Sequence, residues 1–139
     1  IAPNEIIKKT TALQSQSTSN VCSFAQRGAL AAIQGSNDCI KKMANSYNSR
    51  RALLIKELNQ IKGISLTEPN GAFYAFPHIK KRDLSSIDFC KIALEKVGLA
   101  LIPGIAFGED QCIRISCSVS SKTLLDGLER LNNLMGEFN

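Results

Sequence analysis

One arginine stands in the middle of an otherwise aliphatic stretch, DQCIRISCSVS at residues 110–120. Strand alternation sends Ile113, Ile115 and Cys117 to one side and Cys112, Arg114, Ser116 and Ser118 to the other. A guanidinium in that place has two possible uses. It can be a solvated charge on a wet face, or it can grip an anion through parallel N–H donors that match a carboxylate two for two. Strand geometry does not choose between them. Two other stretches could do as little or as much: PGIAFG at 103–108 as a tight connection, and STSN at 17–20 as a hydroxyl-rich cap before a helix.

Other chemistries lack their parts. There is no GxGxxG or GxxxxGK[ST], and no serine or cysteine has a histidine partner suited to a triad. The single histidine, His78, follows Pro77 and reads as a surface residue. The five cysteines, at 22, 39, 90, 112 and 117, form no CxxC pair and no Cys/His zinc spacing, so no metal is expected. Free thiols used as small buried hydrophobes fit a reducing, cytoplasmic interior.

The elements that must position these residues come next. At 139 residues, 44% hydrophobic and 21% charged, the chain has a globular composition. No apolar run approaches the roughly 18 residues that span a bilayer, so no membrane partner is expected. The net charge of +5 is spread over scattered basic pairs, and the densest run, HIKKRD, has no interleaved stacking aromatics. A nucleic-acid surface is therefore not expected. The opening IAPNEII reads as a cut, which suggests a piece of something longer.

TTALQSQSTSN is polar enough to read as a loop, and FAQRGALAAI as a helix ending at Gly35. Ser36 or Asn37 can cap a long helix, with Leu54, Leu58 and Ile61 on one face, that stops at Gly63. At about 25 residues it would reach roughly 37 Å, long enough to link two bodies. ISLTE and AFYAF read as strands around a PNG turn, the second closed by Pro77, with its aromatics assigned to the core. SSIDFCKIALEKVG is an amphipathic helix capped by Ser85 or Ser86, striped by Ile87, Cys90, Leu94 and Val97, and ended by Gly98. LALIP and CIRIS follow as strands, then a closing helix with Leu124, Leu128, Leu131 and Met135 on one face. The order β-β-α-β-β-α after the long helix predicts an α+β fold, a small sheet with helices on one side.

The order of YNSRR, PNGAFYAFP, GLALIPGIAFGE, IRIS and a leucine-rich last helix resembles the C-terminal part of class I aminotransferases. These are pyridoxal-phosphate enzymes of the aspartate aminotransferase fold type, and the likeness is nearest to the bacterial-type aspartate enzymes. It covers essentially the whole chain. The resemblance implies that residues 1–36 end a large cofactor domain, and that 37–139 form the small C-terminal domain with the linking helix. It implies that Arg114 forks onto the substrate's α-carboxylate. Phe107 resembles the aromatic that lines the substrate side, with core packing as its alternative use. Ser19 and Asn20 resemble the pair that reaches toward the neighbouring subunit's active site near the cofactor phosphate, which implies a homodimeric parent. The implied reaction moves an amino group between aspartate and 2-oxoglutarate, amino-acid and 2-oxo-acid substrates both. Aromatic, alanine, prephenate and histidinol-phosphate enzymes share the fold, so these substrates remain alternatives. A free-standing small-molecule-binding module and a basic nucleic-acid adaptor are readings from other classes.

The family's cofactor lysine stands in a context like SK-x-x-x-x-x-G-x-R, which none of the lysines here shares. This chain by itself is therefore expected to be inactive. Mixed with pyridoxal phosphate, it should give no saturable, stoichiometric visible absorption band that survives dialysis. A band abolished by one specific lysine substitution would contradict that expectation.

Overall fold

Contacts divide the chain into two units, Ile1–Cys39 and Ile40–Asn139. The computed structural model describes residues 1–80 and 83–138, so Lys81 and Arg82 of HIKKRD lie outside the described residues. The first unit holds α1 (Asn4–Ser17) and α2 (Ser23–Gln34), neither of which buries a residue. Much of the expected loop at 10–20 is thus helix. Polarity reports what is buried rather than what is helical, and the segment from Asn4 to Ser17 has neither glycine nor proline. Thr10 and Ser17 turn their hydroxyls back onto helix carbonyls. STSN consequently closes α1 through Thr18 and Ser19 N–H bonds to the Gln14 carbonyl, and it does not cap α2, whose N-cap is Cys22.

The long helix, α3, runs Asp38–Leu58, 21 residues rather than about 25. Ser36 Oγ accepts the Asp38 N–H at 3.1 Å. The chain beyond Leu58 tightens into i to i+3 bonds, Gln60 to Glu57 and Ile61 to Leu58, and turns at Gly63 with φ 84°. Leu54, Leu58 and Ile61 are buried as their spacing predicts.

Five short strands follow among the described residues: β1 (Ile64–Ser65), β2 (Tyr74–Ala75), β3 (His78–Ile79), β4 (Ile102–Pro103) and β5 (Ile113–Ser116). They form an antiparallel pair β1-β3 and an antiparallel sheet in the order β2-β5-β4. Pro77 does not end the strand region, because β3 starts at the next residue. Lacking an N–H, Pro77 interrupts the ladder without shifting its register: His78 still bridges Cys112, just before β5, while β3 pairs with β1 on its other edge. The Pro77 carbonyl still accepts the Ile113 N–H at 3.1 Å.

β5 is central and alternates as its sequence predicts: Ile113 and Ile115 are buried, Arg114 is half-buried and Ser116 exposed. Cys112 is buried although it stands outside the core cluster, beside Tyr74 and Phe76 on the outward side. The strand has not yet begun there, since the Cys112 N–H closes a turn onto the Glu109 carbonyl at 3.2 Å. The inward residues of β2 and β5 join one core with α3, α4 (Ser86–Val97) and α5 (Ser121–Gly136). Leu124, Leu128, Leu131, Leu134 and Met135 supply the α5 side.

α4 is capped by Ser85 Oγ, which accepts the Asp88 N–H, and ends at Gly98 in the left-handed region, φ 62°. Its buried face is Ser86, Phe89, Cys90 and Ala93, so the expected stripe is rotated; Ile87 and Leu94 face outward. Ser86 sets the rotation. Its N–H and hydroxyl both bond Asp110 Oδ1, at 2.8 and 2.6 Å, and its Oγ accepts the Ile105 N–H at 3.2 Å. This polar anchor ties α4 to the 3-10 turn Gly104–Phe107.

Gly104 starts that turn at a very close approach. A Cβ there would lie 2.2 Å from both the Cys112 and the Glu109 carbonyl oxygens. These atoms are backbone held in turn hydrogen bonds, so they have little room to yield. Gly104→Ala should therefore cost about 1–3 kcal/mol or more, read as a lowered denaturation midpoint. An unchanged midpoint would mean that the turn opens freely.

Candidate functional site

β5 places Arg114 on the sheet face away from the helices, paired in register with Ile102 of β4. Tyr74, whose register partner is Ser116, comes from β2 on the other side. The guanidinium carbon sits 4.4 Å from the Tyr74 ring centroid and 4.7 Å from that of Phe107. Phe107 in turn meets Phe76 edge-on, with centroids 5.8 Å apart and planes at 86°. Arg114 and Phe107, separated in sequence, are thus brought together by the turn that Gly104 begins.

The aromatics of AFYAF are not core. Phe73, Tyr74 and Phe76 are 37–38% exposed, and only Ala75 between them is buried. Alternation gives the inward place of β2 to the alanine and puts Tyr74 outward beside Arg114. Phe73 stacks on Tyr74, with centroids 4.5 Å apart, and on Tyr47 of α3, at 5.8 Å. Phe107 is 51% exposed, which excludes plain core packing for it.

No hydrogen bond or ion pair reaches Arg114 from the described residues, whereas three other arginines of this unit are committed. Arg50 donates to the Cys117 and Val119 carbonyls at 3.1 and 2.6 Å. Arg51 donates to the Pro69 carbonyl and to Glu68, and Arg130 to the Val97 carbonyl and Asp126. Arg114 therefore has aromatic neighbours across its faces and N–H donors left for a ligand. An anion with two coplanar oxygens suits those donors. Tyr74 is not among the candidates that the sequence offers; the signal for its contact with Arg114 is its place in GAFY, on a strand whose alternate residues face outward.

Ser19 and Asn20 belong to the first unit and are exposed, Ser19 in the left-handed region at φ 60°. His78 is exposed on β3. Among the described residues no three His, Cys, Asp or Glu side chains are grouped to hold a metal ion. Likewise no helix there is long and apolar enough to cross a membrane. Burial pushes the Cys90 thiol up to about 11. Cys112 is raised by burial and then by Glu109; Cys117 is raised by burial against a smaller opposing pull from Arg50.

Residues 1–131 match the family model for class I and II aminotransferases. The chain belongs to the class I and II aminotransferase family. It is 36% identical over 146 aligned positions to the aspartate aminotransferase of Streptomyces avermitilis, covering 99% of this chain and 36% of that protein. The crystal structure of the Rhizobium meliloti aspartate aminotransferase superposes with a TM-score of 0.90 at 34% identity, over 97% of this chain and 36% of that one. An aromatic aminotransferase from Pyrococcus horikoshii superposes with a TM-score of 0.91 at 31% identity, over 98% and 37%. This aminotransferase chain thus has the α+β fold expected of it and spans little more than a third of the length of these relatives. Pyridoxal phosphate is the cofactor that the family implies. The Arg114 cluster does not fit it: an aldehyde needs an amine and a phosphate needs gathered donors, whereas this cluster is one guanidinium among aromatic faces.

The cysteines give a direct check on burial. Cys22 and Cys39 are exposed; Cys90, Cys112 and Cys117 are buried. At pH 8, two thiols should react promptly with a chromogenic disulfide and the other three only on unfolding. Raising the pH should leave Cys90 protonated until about 11, because burial disfavours its thiolate.

Proposed function

We propose that this chain is the carboxylate-binding part of an aminotransferase that moves an amino group between aspartate and 2-oxoglutarate, and that Arg114 forks onto the substrate's α-carboxylate. The single observation that carries this reading is that Arg114 has aromatic neighbours and, among the described residues, no protein acceptor, on an outward sheet face. A carboxylate would satisfy donors that nothing else among the described residues uses. Amino acid and 2-oxo acid carry the same group, so one arginine serves both directions of the exchange. Pyridoxal phosphate would be held by residues other than this cluster, and Phe107 would border the substrate. Aromatic amino acids are a second reading, favoured by the exposed rings of Phe76 and Phe107 beside the arginine and by the aromatic enzyme from P. horikoshii among the structural relatives.

The proposal extends to organisation. Residues 1–36 would end the cofactor domain, and 37–139 form the small domain. Neither α1 nor α2 buries a residue, and Phe24, Leu30 and Ile33 are uncovered, as expected of helices that pack on further protein. In a cytoplasmic homodimer Ser19 and Asn20 would reach the neighbouring subunit's site, and their exposure leaves them available to do so.

In the full-length enzyme, Arg114→Lys should lower kcat/KM about tenfold to a hundredfold or more for aspartate and 2-oxoglutarate alike. The change replaces a bidentate charged hydrogen bond worth about 1.5–3 kcal/mol. The denaturation midpoint of the 139-residue chain should move little, since substitutions on such faces usually stay within about 0.5 kcal/mol. Intact kcat/KM with a markedly destabilised chain would make Arg114 a structural residue.

A further inference from the structure

A guanidinium on a flexible stem presents its fork to a carboxylate only if something fixes its plane. Around Arg114 no hydrogen bond does so among the described residues; the Tyr74 and Phe107 rings are the contacts at hand, 4.4 and 4.7 Å from its guanidinium carbon. Each ring is itself held. Phe107 leans edge-on against Phe76 and belongs to the turn anchored by Ser86. Tyr74 stacks on Phe73, which meets Tyr47 of α3, and Tyr47 lies under the Arg50 guanidinium at 4.3 Å. Arg50 also pins the two carbonyls just past β5. Two residues before Tyr74, Ala72 is kept in the left-handed region at φ 57°, an unfavourable backbone state for a residue with a Cβ.

We infer that Tyr74 and Phe107 are positioning residues: they form an aromatic clamp that fixes the Arg114 guanidinium and leaves its N–H edge for the substrate carboxylate. This rests on the carboxylate reading of Arg114 and deepens it. The attraction is that of a cation for the negative face of a ring. Ordering the fork before the ligand arrives removes a rotamer cost from binding. The clamp acts through the ring and not through the Tyr74 hydroxyl, which forms none of the hydrogen bonds found here.

Two measurements test it. In the 139-residue chain, ring currents should displace the Arg114 Nε–H resonance from that of a free arginine. Tyr74→Leu should abolish much of that displacement and Tyr74→Phe should keep it; a displacement unchanged in the leucine variant would overturn the clamp. In the full-length enzyme, the probe is maleate, a dicarboxylate that neither donates nor accepts an amino group. Tyr74→Leu and Phe107→Leu should each weaken maleate binding and raise KM for both substrates by roughly threefold to thirtyfold, with kcat within about twofold. Tyr74→Phe should stay within about twofold of the parent, and Tyr74→Leu should add nothing once Arg114 is alanine. If Arg114→Ala weakens maleate but neither leucine variant does, the clamp is wrong and the carboxylate reading stands. If Arg114→Ala leaves maleate binding unchanged, the carboxylate reading falls and the clamp falls with it.

Discussion

The two-residue period of β5 is the constraint on which the rest of this unit depends. Ile113, Ile115 and Cys117 close the core against α3, α4 and α5, so Arg114 must lie on the opposite face. A one-residue slip in pairing would exchange the faces, burying the guanidinium and exposing the isoleucines. Burying an unpaired charge is so costly that the register is strongly specified. Both neighbours of β5 in the sheet are read off the same register: Tyr74 reaches Arg114 because β2 pairs Ala75 with Ile115, and Ile102 because β4 pairs with Arg114 directly.

Around that strand, polar groups tie down what the apolar core cannot reach. The Asp110 carboxylate accepts from the N–H and hydroxyl of Ser86, and the same hydroxyl receives the Ile105 N–H. The first turn of α4 and the turn bearing Phe107 are thereby one rigid corner. Gly104 lets that corner close to within atomic contact of the Cys112 and Glu109 carbonyls. On the other side, Arg50 and Arg51 bind loop carbonyls to α3. The donors of these two arginines are matched to backbone acceptors, which Arg114 lacks among the described residues.

Chemistry at this site depends on what is left unmatched. Rings against a guanidinium satisfy its faces, but they offer nothing to its N–H edge. A carboxylate supplies what is missing, and in doing so it exchanges contact with water for a charged, directional pair. In the proposed role that carboxylate would belong to an amino acid or a 2-oxo acid, in keeping with membership of the class I and II aminotransferases. The cofactor chemistry demands an amine and phosphate donors, which this cluster does not assemble.

By itself the sequence determined those features that depend on local pattern. The faces of α3 and α5, the caps at Ser85 and Gly98, and the inward and outward sides of β5 follow from periods of 3.6 and two residues and from individual side chains. Arg114 is legible as a candidate from its place on such a strand, and its proposed use comes from the order of motifs along the chain. Other features were decided only in three dimensions. The stripe of α4 turned because Ser86 bonds Asp110, 24 residues away, which no helical period records. The AFYAF rings stayed outside because alternation gave the one inward place of β2 to Ala75. Residues 10–17, polar enough to read as loop, are the second half of α1, because polarity reflects what surrounds a helix whereas the backbone obeys local propensity. The meeting of Tyr74, Phe107 and Arg114 required a strand pairing and a tight turn to act together. Such contacts depend on closing long loops, and their reward appears only when the whole core forms.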